Sequence, residues 1–397
     1  MAVHNVFMKV AFITPFDLTQ AMTQAKRWKN PFLVSYFSAK AVQEDPSFHI
    51  SYIHPIPKRR YELPLRYKGK ICQKLSDRRY LSSREPLLLR DYGRQIARKI
   101  AAIKPDVVFA SGTVATAYLN CEPPILSWSD ATFAGMLDFY PYFSNLCRQS
   151  IRHGHAAEQS ALERSRTILY TSDWAAKTAV DNYDIDPARI HIVPRGAAIE
   201  REPTLAEVKE MIGRRPSDQC RLLFIGQDWH RKGGDTAVAI THALNKMGLP
   251  ARLTVVGQPA HQNGTAPAPV EWLDFISKSS QAGRAAMNRL MAESHFLLLP
   301  SRAETFGIVV CEASAFGVPA ITSDVGGFPS VVNENVNGRL FSFADGVQEA
   351  AATMADLMAD YGRYQELALS SYGEYRARLN WRVVGRQLRQ HIKNTVG

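Results

Sequence analysis

The sequence lacks long apolar runs, paired cysteines and the common glycine-rich nucleotide motifs. No apolar run approaches the roughly 18 residues of a membrane-spanning helix, so no membrane-spanning helix is expected. The 5 cysteines are scattered, odd in number and without a C-x-x-C pair, which disfavours a disulfide framework and favours a reducing, cytoplasmic compartment. No strand leads into G-x-G-x-x-G, which disfavours an NAD-dependent dehydrogenase. No Walker A sequence occurs either.

What remains is an ordinary globular composition over 397 residues, with 46% hydrophobic and 21% charged residues. This length suggests two or more domains, and the apolar share is sufficient for large cores. Lys9 interrupts the apolar N-terminal stretch VFMKVAFIT, so we expect a first strand there rather than a signal peptide.

The net charge of +11 is concentrated in one block. Residues 58–104 contain fifteen Lys or Arg and four Asp or Glu, so the rest of the chain is balanced. Such a block suggests a polyanionic partner, which could be an anionic membrane surface, a charged glycan or lipid, or nucleic acid. The alternative is a solvated surface of helix-face charges.

Short aliphatic strands alternate with helical patterns along the whole chain. This alternation predicts parallel sheets covered by helices on both faces. The predicted strands are 9–14, 49–53, 106–110, 124–128, 167–171, 189–194, 221–226, 251–257, 295–300, 318–323 and 338–342. Predicted helices include Pro31–Gln43, Arg84–Ile103, Asp173–Asn182, Lys232–Met247 and Gln281–Glu293.

A polar segment at 199–219 separates two series of strands. We therefore predict an α/β protein with two doubly wound, Rossmann-like domains at 1–198 and 199–375, followed by an amphipathic helix within 376–397. Two such sheets facing each other would form a cleft at the carboxyl ends of their strands, where ligands of open α/β sheets bind.

The stretch RLLFIGQDWHRKGGDTAVAI (221–240) indicates an anion site. A strand ends at Gly226, a loop follows, and Arg231 and Lys232 precede a helix. Adjacent cations beside the free amides of a helix start can clamp phosphate groups. The alternative is a surface Arg-Lys pair at a turn.

The stretch SRAETFGIVVCEASAFGVPAI (301–321) places two carboxylates around a second helix start. We expect Thr305 to cap a helix that begins near Phe306. Glu304 then lies outside the helix, and Glu312 lies about two turns inside it. This order suits hydroxyls, an anion and further hydroxyls, which is the order of groups in a sugar joined to a nucleotide by a diphosphate.

These stretches resemble the retaining glycosyltransferases of the GT-B fold in the group 1 family (GT4). Glu304 and Glu312 match the E-x7-E motif of that family, and SRAETFG matches its PS-x-x-E-x-FG pattern. GQDWHRKGGD resembles its G-x-x-x-x-RKG-x-D loop, and 318–341 resembles its G-x-P-V-I-A-T-D-x-G-G…NG segment. The resemblance is dense over 220–395, whereas the first domain matches in strand order and little else. NW before the last helix resembles the closing helix of the family, so the helix within 376–397 would return to the first domain.

The resemblance implies roles for individual residues. Arg231 and Lys232 would neutralise the donor diphosphate. Glu304 would bind hydroxyls of the donor sugar, and Glu312 would bind the ribose. Asp130, after the fourth strand, falls where the family often has a residue that contacts the sugar. The remaining expected donor contacts are Gly226, Thr305, Phe306, Gly307 and Ile308.

The implied function is a retaining, metal-independent hexosyltransferase in polysaccharide biosynthesis. Its donor would be a nucleotide diphosphate sugar, with a UDP-sugar favoured, and its acceptor would be a glycan or lipid-linked hydroxyl. No metal or other cofactor and no nucleic acid is expected, and the location would be cytoplasmic, with peripheral contact at the inner face of a membrane as one interpretation of the basic block. The alternatives are a nucleotide-sugar epimerase and a polyanion-binding protein with a vestigial cleft.

Two other groupings suggest metal sites but have simpler explanations. Asp184 and Asp186 form a D-x-D, which lies in a polar loop before a proline. His153 and His155 could suggest zinc, although no cysteine or second histidine pair supports it, and a helix surface explains them better.

Overall fold

The structure, a computed structural model, describes residues 7–14, 32–53, 59–257, 269–343 and 346–397. All strands within these ranges belong to two six-stranded sheets. The strands are β1 Met8–Ile13, β2 Phe48–Ile53, β3 Val107–Ser111, β4 Ile125–Ser129, β5 Ser165–Tyr170, β6 Ile190–Ile192, β7 Cys220–Ile225, β8 Ala251–Val256, β9 Val270–Leu273, β10 Phe296–Leu299, β11 Ala320–Ser323 and β12 Gly338–Phe341.

Helices connect these strands. In chain order they are α1 Phe32–Gln43, α2 Arg59–Ser76, α3 Pro86–Ile103, α4 Phe133–Met136, α5 Arg148–Arg164, α6 Asp173–Asn182, α7 Leu205–Arg214, α8 Trp229–Lys232, α9 Gly234–Lys246, α10 Gln281–Glu293, α11 Ile308–Ala315, α12 Phe328–Val331, α13 Gly346–Ala359, α14 Tyr361–Ala377 and α15 Trp381–Val396. Short 3-10 turns lie at Ser82–Arg84, Pro141–Phe143 and Pro187–Arg189. Within the described ranges, no helix is long and apolar enough to cross a bilayer.

Both sheets are parallel, as the strand-helix alternation predicted. The first has the order β2-β1-β3-β4-β5-β6 and the second β12-β11-β10-β7-β8-β9. In the second sheet the chain moves outward from β7 through β8 to β9 and then returns to the other side of β7 at β10. This reversal is a topological switch point, where open α/β sheets bind their ligands.

The chain divides into two compact units. The first contains the described residues through Val193 and also Val384–Gly397, and the second is Pro194–Val383. The sequence placed these boundaries at 198/199 and 375/376. In the first unit, the later part of α15 packs on α1. The contact is close, since a Cβ on Gly385 would lie 2.8 Å from the Ala41 carbonyl oxygen. Thr395 also shares a 2.7 Å hydrogen bond with Thr167 of β5.

The predicted strands and helices are present with shifts of one or two residues at most ends. Pro31, where the first helix was predicted to begin, lies outside the described residues. The helix predicted at Lys232–Met247 is α9, which begins two residues later than predicted. Lys232 instead ends the short helix α8, because Gly233 adopts the left-handed conformation between the two helices (φ 72°). Strand β9 was not predicted.

The core of the second unit forms around β7, β8, β10 and β11. These strands are almost entirely buried, as expected for parallel strands covered on both faces. Helices α9, α11, α13 and α14 add apolar side chains to the same cluster. The loops at the carboxyl ends of β7 and β10 are therefore held on a rigid support.

Candidate donor site in the second unit

The loops after β7 and β10 meet because these two strands pair directly. Helix α8 is a single turn within the first loop, and the Asp228 side chain caps it by accepting from the Arg231 amide at 3.1 Å. A Cβ on Gly233 would lie 1.7 Å from the Pro300 carbonyl oxygen, so only glycine permits this approach of the loop to the end of β10. The Arg302 amide donates to the Arg231 carbonyl at 2.7 Å and ties the loops together.

Glu304 lies buried at the centre of this junction, with 8% of its surface exposed. The Lys232 ammonium donates to Glu304 Oε2, and Arg231 Nη1 lies 3.7 Å from the same oxygen. The Thr305 amide donates to Oε1 at 3.2 Å. Burial by itself would raise the pKa of Glu304, but the charges of Lys232 and Arg231 outweigh it and hold that pKa below its ordinary value. Glu304 is therefore an ionised carboxylate.

Other groups fix the two cations in place. Arg231 Nε lies 3.2 Å from Asp228 Oδ2, and Arg231 Nη1 donates to the Ala303 carbonyl at 2.8 Å. A Cβ on Gly226 would lie 2.8 Å from Cγ of Lys232, so glycine at the end of β7 leaves room for the lysine stem. Both cations are largely buried, which strengthens their interaction with any anion that reaches them.

The helix that follows Glu304 begins later than predicted. Helix α11 starts at Ile308, its N-cap is Gly307 with φ 94°, and no side chain caps it. The expectation that Thr305 caps a helix from Phe306 is therefore wrong. The reason is steric, because the chain first makes a left-handed turn at Gly307, where a Cβ would lie 2.7 Å from the Phe328 ring. The turn leaves Thr305 outside the helix, beside Glu304.

Glu312 lies in the second turn of α11, and the structure gives it a partner that the sequence did not predict. Its Oε2 is 2.5 Å from Nζ of Lys278, which lies between β9 and α10, and both side chains are mostly buried. Lys278 has no motif around it, and the polar loop DFISKSSQ offers no sequence signal beyond one isolated lysine. Only the fold brings it to Glu312.

The Lys278–Glu312 pair borders a cavity of about 230 Å³ within the second unit. Arg284 of α10 also lines it and forms a 2.6 Å ion pair with Glu200. Apolar walls come from Ile199, Ala285, Met287, Met291 and Phe316. A lining that combines charged groups with apolar side chains suits a ligand part with hydroxyls and a flat ring.

The predicted site residues thus form two groups in the second unit. Gly226, Arg231, Lys232, Glu304 and Thr305 meet at the switch point, followed by Phe306, Gly307 and Ile308 along the chain. Glu312 lies further along α11, beside the cavity. Asp130 belongs to the first unit, directly after β4. Its predicted contact with the sugar stays a prediction.

The two alternative metal groupings serve other purposes in the first unit. Asp186 caps the 3-10 turn at Pro187–Arg189 by accepting from the Ala188 amide at 2.9 Å. His155 packs against the Phe133 ring, and burial lowers its pKa. His153 lies 3.8 Å from Glu85, and burial again lowers the pKa of the histidine. In the described part of the chain, no group of three or more His, Cys, Asp or Glu is placed to hold a metal.

Comparison with known protein families gives two matches along the chain. A model described as "Glycosyl transferases group 1" matches residues 219–360, and a model described as "Glycosyltransferase Family 4" matches residues 50–201. The first match contains both loops of the switch point together with Lys278 and Glu312.

Individual proteins agree with these matches. A D-inositol 3-phosphate glycosyltransferase from Mycobacterium marinum is 25% identical over 249 residues, which are 60% of this chain and 52% of that protein. The match thus spans about half of that relative. Among solved structures, sucrose-phosphate synthase from Thermosynechococcus elongatus aligns over 98% of each chain with a TM-score of 0.65 and 15% identity. The Anabaena protein HepE in complex with UDP-glucose aligns over 98% of this chain and 100% of its own, with a TM-score of 0.60 and 13% identity.

Proposed function

The chain belongs to the group 1 glycosyltransferases of family 4 and has the GT-B fold, and from that premise we propose that it transfers a hexose from a nucleotide diphosphate sugar to a hydroxyl acceptor with retention of the anomeric configuration. The observation that carries the proposal is the junction of Lys232, Arg231 and Glu304 at the topological switch point of the second sheet.

In this proposal the junction binds the sugar diphosphate. An ammonium has three donors, and Glu304 accepts one of those of Lys232, so the same lysine has further donors for a phosphate oxygen. Arg231 is held by Asp228 and the Ala303 carbonyl, which fixes its position before any ligand arrives. Cations placed in advance stabilise the charge that develops on the leaving diphosphate, which is usually a large catalytic effect.

In this assignment Glu304 binds the sugar of the donor, and Glu312 binds the ribose. As an ionised and buried carboxylate, Glu304 accepts hydrogen bonds from sugar hydroxyls. Glu312 and Lys278 lie next to the cavity of about 230 Å³, which would take the ribose and part of the base. The base and the ribose contribute binding, whereas the sugar is the part that reacts.

The proposed reaction forms a bond from the acceptor oxygen to the anomeric carbon while the bond from that carbon to the diphosphate oxygen breaks. The acceptor proton passes to the leaving phosphate on the same face of the sugar, so no protein nucleophile is required. The acceptor is proposed to be a glycan or lipid-linked hydroxyl, and Asp130 is proposed to contact the sugar.

A thermal-shift screen against UDP-, GDP- and ADP-sugars tests donor binding. We expect a UDP-hexose to raise the melting temperature most. UDP-glucose is the first ligand to test, because Anabaena HepE was crystallised with it. A ligand at 100 times its dissociation constant stabilises the folded state by about 2.7 kcal/mol, which such a screen detects easily. If no nucleotide sugar raises the melting temperature of the protein, the proposed donor site is wrong.

We further expect full transferase activity in EDTA. In this proposal Arg231 and Lys232 neutralise the charge of the diphosphate. Chelation should therefore change kcat/KM by less than about twofold, whereas a tenfold change would correspond to roughly 1.4 kcal/mol. The measurement is product formation from a UDP-sugar before and after dialysis against EDTA. Loss of activity that Mn²⁺ or Mg²⁺ restores would instead favour a metal-dependent site and reopen the role of Asp184 and Asp186.

A further inference from the structure

Helix α2 has a row of large apolar side chains that face solvent. The four residues recur every fourth position, so they lie on one side of the helix. They are Leu63, Tyr67, Ile71 and Leu75, which are 62%, 64%, 57% and 81% exposed. Single exposed apolar side chains are common on soluble proteins, but four in one row form a continuous surface, which usually binds something. We call these four residues the apolar row.

A neighbouring side of α2 is packed against its own unit. Tyr61 and Leu65 contact the cluster that contains Leu88 and Leu89 of α3. Lys68 forms a 2.9 Å ion pair with Glu85, which is buried. Because this side fixes the orientation of the helix, the apolar row stays exposed to solvent, and none of its four residues belongs to the apolar clusters formed by the described residues of the first unit.

Exposed cations surround the apolar row. Arg60, Arg66, Lys70 and Lys74 of α2 are all exposed, and the helix has a single acidic residue, Glu62. A soluble polyanion would bind the cations and leave the row in water. A helix with apolar residues on one side and cations beside them suits the interface of an anionic bilayer, where acyl chains and phosphate headgroups lie at neighbouring depths.

We propose that α2 lies in the surface of an anionic phospholipid bilayer, with the apolar row inserted at the headgroup boundary and its cations on the lipid phosphates. The helix has 18 residues and is therefore roughly 27 Å long at 1.5 Å per residue. It would lie parallel to the membrane and attach the first unit peripherally. The proposal does not depend on the transferase reaction, because membrane attachment requires neither donor nor acceptor.

Vesicle co-sedimentation of the full chain, without nucleotide sugar, tests the proposal. The two probes are vesicles of phosphatidylcholine alone and vesicles with about 30% phosphatidylglycerol, an anionic lipid. We expect at least tenfold tighter binding to the anionic vesicles. Binding should weaken as salt rises, since screening shortens to about 8 Å at 0.15 M.

Two double variants separate the apolar contribution from the charge contribution. Ile71→Gln with Leu75→Gln keeps the charge and should weaken binding to anionic vesicles at least tenfold. Lys70→Glu with Lys74→Glu should remove the preference for anionic lipid. The matched controls are Leu205→Gln and Lys209→Glu on α7 of the second unit, which are also exposed and should bind as wild type. All these side chains are exposed, so the melting temperatures should not change.

Three results would overturn the proposal. The first is wild-type protein that binds neither vesicle or binds both equally. The second is an Ile71→Gln, Leu75→Gln variant that binds as tightly as wild type, which would mean that charge alone acts. The third concerns a soluble sulfated glycan. If the Ile71→Gln, Leu75→Gln variant bound this glycan as tightly as wild type, and if the glycan also displaced the wild-type protein completely from vesicles, the surface would be assigned to a soluble polyanion.

Discussion

Replacing Lys232 by alanine should lower kcat/KM about 100-fold while the protein stays folded. A charge-assisted hydrogen bond contributes roughly 1.5–3 kcal/mol, and Lys232 has two proposed partners, the diphosphate and Glu304. Its loss also leaves the buried Glu304 carboxylate with Arg231 Nη1 3.7 Å away, which makes this site less favourable for a second anion. Steady-state kinetics with the UDP-sugar found in the thermal-shift screen measure the effect.

The matched control is Lys246→Ala, which removes an exposed lysine from the end of α9 in the same unit. It should leave kcat/KM unchanged. Arg231→Ala should lower kcat/KM by tens- to hundredfold for the same reason, but it also removes the bond to the Ala303 carbonyl, so its melting temperature must be measured as well. Wild-type kinetics in both Lys232→Ala and Arg231→Ala would remove these residues from the proposed site.

Glu304→Gln should reduce kcat more than Glu312→Gln does. Glu304 is surrounded by both cations of the switch point and is assigned to the reacting sugar, so its neutralisation should cost roughly 10- to 100-fold in kcat, which corresponds to about 1.4–2.7 kcal/mol. Glu312 pairs with Lys278 beside the cavity and is assigned to the ribose, so its change should raise the KM for the donor and leave kcat nearly constant.

The pair of variants is its own control, since both remove one charge and preserve side-chain size. A Lys278→Ala variant adds a check, because it should raise the donor KM as Glu312→Gln does. A larger kcat loss in Glu312→Gln than in Glu304→Gln would reverse the assignment of the two carboxylates.

The alternation of strands and helices could be predicted from the sequence because it depends on local periodicity. Buried parallel strands such as Phe296–Leu299 are short, continuous apolar runs between polar loops. Strand β9 was missed for the opposite reason. Its four residues, Val270–Leu273, are all only half-buried and include a glutamate, as is usual for an edge strand, and β9 is the edge strand next to β8 among the described strands.

Helix starts were less accessible to sequence reasoning. Thr305 is a good N-cap by residue type, and Gly307 is not obviously better. The close packing of Gly307 against the Phe328 ring decides where α11 begins, and this contact joins residues that are adjacent only in the fold.

The sequence by itself determined the fold class, the family motifs and four charged residues of the proposed donor site, Arg231, Lys232, Glu304 and Glu312, because motifs preserve residue type and local spacing. Only the tertiary structure decided which of them meet and added Lys278, which no motif predicted. Lys232 and Glu304 are 72 residues apart, and Lys278 and Glu312 are 34 apart, so each contact requires the strand order of the second sheet. The structure also decided which side of α2 is buried. An amphipathic pattern shows only that a helix has two different sides, whereas the packing of Tyr61 and Leu65 against an apolar cluster identifies the buried one.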